Sequence, residues 1–477
     1  MTKQEAVIKY IEDNYLQFNR LRHDVVSDKL QIRLSGEEAM RLLGERQEYW
    51  HEMTKQDINS IVCHCAQECD VNITSREVMT ALQSDLIPDV HPLREYILSL
   101  KPYTPDQPDW IDFVASQVIV KTSPESATDR PKGLSERTAC CQTTMLLDRP
   151  YGAERPTNLT GEADLTVNKV NGLASNSSPR ERSKADALWR ACFKKWFVAM
   201  VASWMRDEVV NHQVLVLIGR QGIYKTTWLE HLIPPHLRAY TCKLANSTDL
   251  NKDERMRIAE FGLISLDEID SMNNRELNQL KSIITATDVN ERAAYAYTKE
   301  RRIRLASFCA SGNRRDFLTD ITGNRRWLPF EVESILNPFH TILPYEQLYA
   351  QAWALAQDPL FSYWFDLDEI EVLEEHNQHF RDESNEEQLL PILFDVPADG
   401  RGEFMTTAQI SERLVTYGNI KKPMALGRLG VLMGSMGYRS VTRGNRQARL
   451  RGWIVYQRDT EEIAANKKLL AKECVTV

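Results

Sequence analysis

The chain has no apolar run approaching the ~18 residues that a membrane-spanning helix needs. Its first residues, Met1-Thr2-Lys3-Gln4-Glu5-Ala6, lack the basic and apolar segments of a secretory signal. Basic residues are in deficit too: 59 Lys and Arg stand against 67 Asp and Glu, a formal net charge of -8. That excludes a surface coated throughout in phosphate-binding charge, but not a local basic channel, because local charge sets affinity for a polyanion. Metal-ligand spacing is also missing. The densest of the nine cysteines are Cys63 and Cys65, with His64 between them and Cys69 beyond. They lie in a segment, 58–69, with a helical pattern that puts 63, 65 and 69 on different faces. Cys192 and Cys309 fall within apolar patterns, as reduced core thiols do. The expectation is a cytoplasmic protein of two to four domains with a sizeable core.

What is present begins at Val214-Leu215-Val216-Leu217-Ile218, a buried-strand pattern, followed by Gly219-Arg220-Gln221-Gly222-Ile223-Tyr224-Lys225-Thr226-Thr227. A glycine-bearing turn between strand and helix lets backbone N–H groups close around a β-phosphate, while a Lys reaches the β/γ oxygens and the next hydroxyl ligates Mg²⁺. Residues 219 and 221–227 are therefore the expected nucleotide loop, with Lys225 on the phosphates and Thr226 on the metal. Tyr224 stands where the usual spacing has glycine, and Gly222 is expected to supply the permissive φ instead.

A second buried strand over 261–266 ends in Asp267-Glu268, followed by Ile269-Asp270. Asp267 at the strand's carboxyl end suits Mg²⁺, and Glu268 suits polarisation of the water that attacks the γ-phosphate. A third strand, expected over 303–311, delivers Gly312-Asn313, where Asn313 can orient the same water. The turn Thr322-Gly323-Asn324-Arg325-Arg326 leads into a further strand. Arg325 or Arg326 can act in trans on a neighbouring subunit's γ-phosphate, with Arg314 and Arg315 as competitors for the role.

This series, with the helical stretch 276–285, resembles the virulence-associated protein E family, which is related to superfamily 3 helicases within the AAA+ ATPases. The resemblance spans roughly residues 92–382, and Thr-Gly-Asn-Arg-Arg is its most specific part. It implies an α/β P-loop ATPase of AAA+ type that uses ATP and Mg²⁺, assembles as a homo-oligomeric ring, expected to be a hexamer, and serves DNA replication of a phage or mobile element. Members often carry an N-terminal primase. This chain departs there, with no convincing pair of metal-binding carboxylates in its first hundred residues. Within the resemblance, residues 292–304 form a β-hairpin that presents Lys299, Arg301 and Arg302 to a strand of DNA in a central channel.

Five regions are expected: an α-rich domain over 1–98, a family segment over 99–185 with a linker or insertion at about 122–184, the ATPase core over 186–342, a helical extension over 343–396, and a last module over 397–477. Residues 21–26 and 30–34 suit a hairpin. The aromatic stripe from Trp189 to Met205 recurs at helical spacing and reads as core. Acids up to Glu387 read as a solvated face. In the last module no acid occurs between Glu412 and Asp459, and two short helices precede a hairpin carrying Arg439, Arg443, Arg446, Arg449 and Arg451. That pattern suggests a winged helix whose second helix and wing reach duplex DNA. The reading is an ATP-dependent, ring-forming DNA helicase or translocase. Its alternatives are an origin-binding initiator with little unwinding, and a regulatory or defence ATPase that acts on protein.

Overall fold

Trp196 and Trp204 explain how the molecule is put together. Both are fully buried on one long helix, and their indole N–H groups donate to strand carbonyls, Trp196 to Phe308 (3.1 Å) and Trp204 to Gly262 (3.0 Å). The computed structural model describes residues 2–34, 49–121, 179–244, 252–291, 300–318, 324–397, 402–444 and 449–466. They form two compact units, one holding the described residues up to 313 together with 326–369, the other those of 314–325 and from 370 onward.

The first unit opens with α1 (Lys3–Ile11), the hairpin β1 (Leu21–Asp24) and β2 (Lys29–Leu34), then β3 (Tyr49–Glu52), α2 (Lys55–Cys69), α3 (Ser75–Leu82) and β4 (Asp89–Val90). The strands form one sheet in the order β3-β2-β1-β4. The hairpin and the helix over 58–69 are where the sequence puts them; β3 and β4 were not foreseen, because strands this short carry little periodicity. Cys65 is buried and Cys63 exposed on α2. The turn of this module is tied to the rest of the unit by Tyr240, whose hydroxyl donates to Asp24 (2.7 Å).

Next come α4 (Pro92–Ser99), α5 (Trp110–Ala115), β5 (Val118–Val120), α6 (Pro179–Met205), β6 (Val214–Ile218), α7 (Lys225–His231), β7 (Thr241–Leu244), α8 (Lys252–Glu260), β8 (Leu263–Leu266), α9 (Asn274–Thr285), β9 (Asp288–Glu291), β10 (Glu300–Ile303), β11 (Ser307–Gly312), β12 (Trp327–Ile335) and α10 (Tyr345–Gln357). The main sheet runs β5-β12-β6-β11-β8-β7. Every pairing from β12 to β7 is parallel, and only β5 joins antiparallel. Each strand β6, β8 and β11 is buried on both faces, which is why they appear in sequence as uninterrupted apolar runs. The stripe on α6 is core, as expected. Trp189 packs edge-on against Phe330 of β12, and Trp204 stacks on Tyr349 of α10.

The expected strand over 303–311 is in fact two strands. Ile303 ends β10, which pairs only with β9, and β11 starts at Ser307 in the main sheet; between them Arg304 buries its guanidinium. It donates to the carbonyls of Ala306 (3.0 Å), Asn211 (2.8 Å) and Ile284, the last near the carboxyl end of α9, where a cation meets the helix dipole. Burial pushes its pKa down to about 9, which leaves it charged at neutral pH.

The second unit contains α11 (Leu367–Gln378, most of it), α12 (Asn385–Leu393), β13 (Phe394–Asp395), β14 (Glu403–Thr406), α13 (Thr407–Gly418), α14 (Leu426–Ser435), β15 (Arg439–Arg443) and β16 (Leu450–Gln457). Antiparallel β14 and β15 both pair with β16. One core joins Leu390, Leu393 and Phe394 to Ile410, Leu414, Leu429, Met433, Trp453 and Val455, so this module draws in residues well before 397. Two acids expected on a solvated face are instead engaged: Glu386 is buried and accepts from the Met424 amide (2.7 Å), and the half-buried Glu387 pairs with Arg381 (2.7 Å).

Candidate nucleotide site

Strands β6, β8 and β11 lie side by side and parallel, so their carboxyl ends open on one edge of the sheet, where open α/β sheets take ligands. The chain after β6 forms a tight loop, and Gly222 in it has φ +85°. Tyr224 has φ +67°, so the position that lacks glycine keeps a left-handed backbone and Gly222 does not replace it. This costs about 1–2 kcal/mol in a residue with a Cβ. The phenol is 38% exposed.

Lys225 is buried, and its ammonium donates to the carbonyls of Gly219 and Arg220 (both 2.7 Å) and to Oδ1 of Asn313 (3.3 Å). Burial lowers its pKa below the usual lysine value, while Asp270 and Asp267 act in the opposite sense. One residue on, the Thr226 hydroxyl donates to Asp267 (3.2 Å) and lies 3.0 Å from the Ser311 hydroxyl, which also bonds to Asp267. Two hydroxyls and a carboxylate are hard oxygen donors of the kind Mg²⁺ takes along with phosphate and water. Among the described residues no cluster of three His, Cys, Asp or Glu forms a complete metal cage.

Glu268 follows with φ +52°, exposed, and its carboxylate has no partner among the described residues. Its carbonyl accepts from Ser271 in a short 3₁₀ turn, Ile269–Ser271. The structure thus joins Lys225 to Asn313 and Thr226 to Asp267 at neighbouring strand ends, and it sets Glu268 beside Asp267. Sequence reasoning missed Ser311 and Asp270. A small hydroxyl just before Gly312-Asn313 was the available signal for the first.

The other expected residues are dispersed. Arg325 and Arg326 sit in a 3₁₀ turn, Asn324–Arg326, before β12, with Arg325 exposed. Arg315 lies over the Phe380 ring at 5.6 Å. The hairpin exists as β9 and β10 in antiparallel register. Its tip, including Lys299, is outside the described residues. Arg301 pairs with Asp288 (2.8 Å), and Arg302 pairs with Asp28 of the N-terminal module (2.5 Å) and faces Glu260 at 3.8 Å. In the second unit, Arg439, Arg443 and Arg449 are exposed, and Arg443 lies over the Phe404 ring at 4.8 Å; Arg446 is outside the described residues.

Residues 178–382 match the virulence-associated protein E-like domain. The matched segment runs from the start of α6 past β12 and so contains every residue of the lysine and acid cluster. It covers less than half of the chain. No curated protein matches. Among solved structures the chain is similar to "The apo structure of NrS-1 C terminal region (305-718)", at 11% identity and a TM-score of 0.40 over 94% of this chain and 99% of that one. It is similar also to the A form of that region, at 10% identity and 0.39 over the same shares. Likeness at this level carries no weight for function. Among the described residues no helix is long and apolar enough to cross a membrane.

Proposed function

We propose that the chain is a Mg·ATP-dependent ATPase that works as a ring-forming DNA helicase or translocase in the replication of a phage or other mobile element. One observation carries the reading: Lys225, Thr226, Asp267 and Asn313 meet at the carboxyl ends of three adjacent parallel strands. In the proposed chemistry the loop amides and Lys225 take the phosphates, and Thr226 and Asp267 take Mg²⁺. Glu268 polarises water, Asn313 orients it, and Arg325 or Arg326 of an adjacent subunit neutralises charge on the transferred phosphoryl group. The strand order supports an AAA+ core. With β11 between β6 and β8, Asn313 would stand between a phosphate held by Lys225 and the acids at the end of β8.

From α12 onward the second unit runs through a helix, two short strands, two helices and an antiparallel hairpin, with β16 central between β14 and β15. This order supports the winged-helix reading, under which α14 and the β15–β16 hairpin meet duplex DNA. Lys299 and Arg301 remain the proposed contacts for a single strand. Arg302 is a poorer one, since two carboxylates hold it. The exposed arginines of β15 and β16 also favour a second reading, an origin-binding initiator with little unwinding. Imaging of particles with ATP and forked DNA tests the first reading: a strand threaded through a ring supports it, and ATP-bound monomers on duplex DNA alone refute it. Filter binding to random and element-derived duplexes then separates the two, because an initiator discriminates strongly between sequences.

A further inference from the structure

Asp270 has no part in the chemistry above, yet it touches the same strand end. Its Oδ1 accepts from the Asn313 backbone amide (3.1 Å). At Gly312 an added Cβ would stand 2.9 Å from that same oxygen and 2.8 Å from Ile218 Cδ1, so a side chain there would push against the carboxylate where it reaches under the end of β11. The approach is set by the left-handed backbone at Glu268, which turns the chain into the 3₁₀ segment that carries Asp270. Of the two carboxylates that favour the charged form of Lys225, Asp270 acts more strongly than Asp267.

We propose that Asp270 is a positioning residue: it ties the turn after Glu268 to the end of β11 and so holds the Asn313 side chain against Lys225. The inference rests on the nucleotide reading and deepens it. In this role Asp270 acts through Asn313. Its bond to the Asn313 amide fixes the distance between the residue that polarises the water and the one that aligns it, and small displacements of such pairs cost rate far more than binding.

The test compares Asp270→Ala and Asp270→Asn in the full chain, measuring MgATP turnover and the binding of a non-hydrolysable ATP analogue. Asn retains an acceptor for the Asn313 amide and Ala does not. Asp270→Ala is expected to lower kcat at least about tenfold while analogue affinity stays within about threefold of wild type; Asp270→Asn is expected to restore most of kcat. Gly312→Ala, which displaces the carboxylate from the other side, is expected to reproduce the split. In the wild type, the Asn313 amide is expected to exchange slowly with solvent although the residue is exposed. Wild-type kcat in Asp270→Ala, an Asn variant as slow as the Ala variant, or rapid exchange of the Asn313 amide would each overturn the assignment. A folded wild type that binds no nucleotide would overturn the nucleotide reading first and this inference with it.

Discussion

The strand-end site and the C-terminal basic hairpin both gather charge, but they treat it in opposite ways. In the first, Lys225 is buried and satisfied by two carbonyls and Asn313, while Thr226, Ser311 and Asp267 bond to one another. In the second, Arg439, Arg449 and Arg451 are exposed and carry no ion pair among the described residues. A buried charge costs free energy unless paired, so its partners define a geometry. An exposed one costs little and acts over a distance set by salt. The first arrangement suits chemistry on one phosphoryl group, and the second suits a polyanion whose register is loose. The β9–β10 hairpin falls between them, because carboxylates already engage Arg301 and Arg302.

If this contrast is right, single changes at the strand ends are severe and those on the basic hairpin are graded. Asp267→Asn should lower MgATP turnover by at least about a hundredfold and leave DNA affinity in the absence of nucleotide unchanged; comparable losses in both would break the contrast. The double variant Arg439→Ala with Arg443→Ala should weaken duplex binding and reduce the slope of log affinity against log salt by about one for each phosphate no longer neutralised. Arg302→Ala should leave that slope as it was. Tyr224→Gly should raise stability against urea by about 0.5–1 kcal/mol, the relief of left-handed strain less the entropy that glycine loses on folding. A fall in the midpoint would show that the phenol packs in a way its exposure does not suggest.

How far the site was legible follows from the same physics. Strands buried on both faces must be apolar throughout, so β6 and β8 stand out, and the polar residues at their ends, Lys225, Thr226, Asp267 and Glu268, are marked by the abrupt change. Arg304 misled because an isolated Arg among apolar residues looks like the outward side of an alternating strand, whereas its donors are spent on carbonyls from three separate segments. Glu386 and Glu387 misled likewise: acidity in a run reads as solvated, and only the fold reveals the Met424 amide and Arg381. The left-handed Tyr224 and the bond from Asn313 to Asp270 were not legible, since one is a backbone state that the sequence opposes and the other joins residues that follow two different strands.

Titration calorimetry of MgATP into the wild-type chain and Lys225→Ala, each with and without DNA, tests the central claim most directly. The account predicts saturable uptake by the wild type and none by the variant. A folded wild type that takes up no nucleotide under either condition, or a variant that binds as the wild type does, would contradict it.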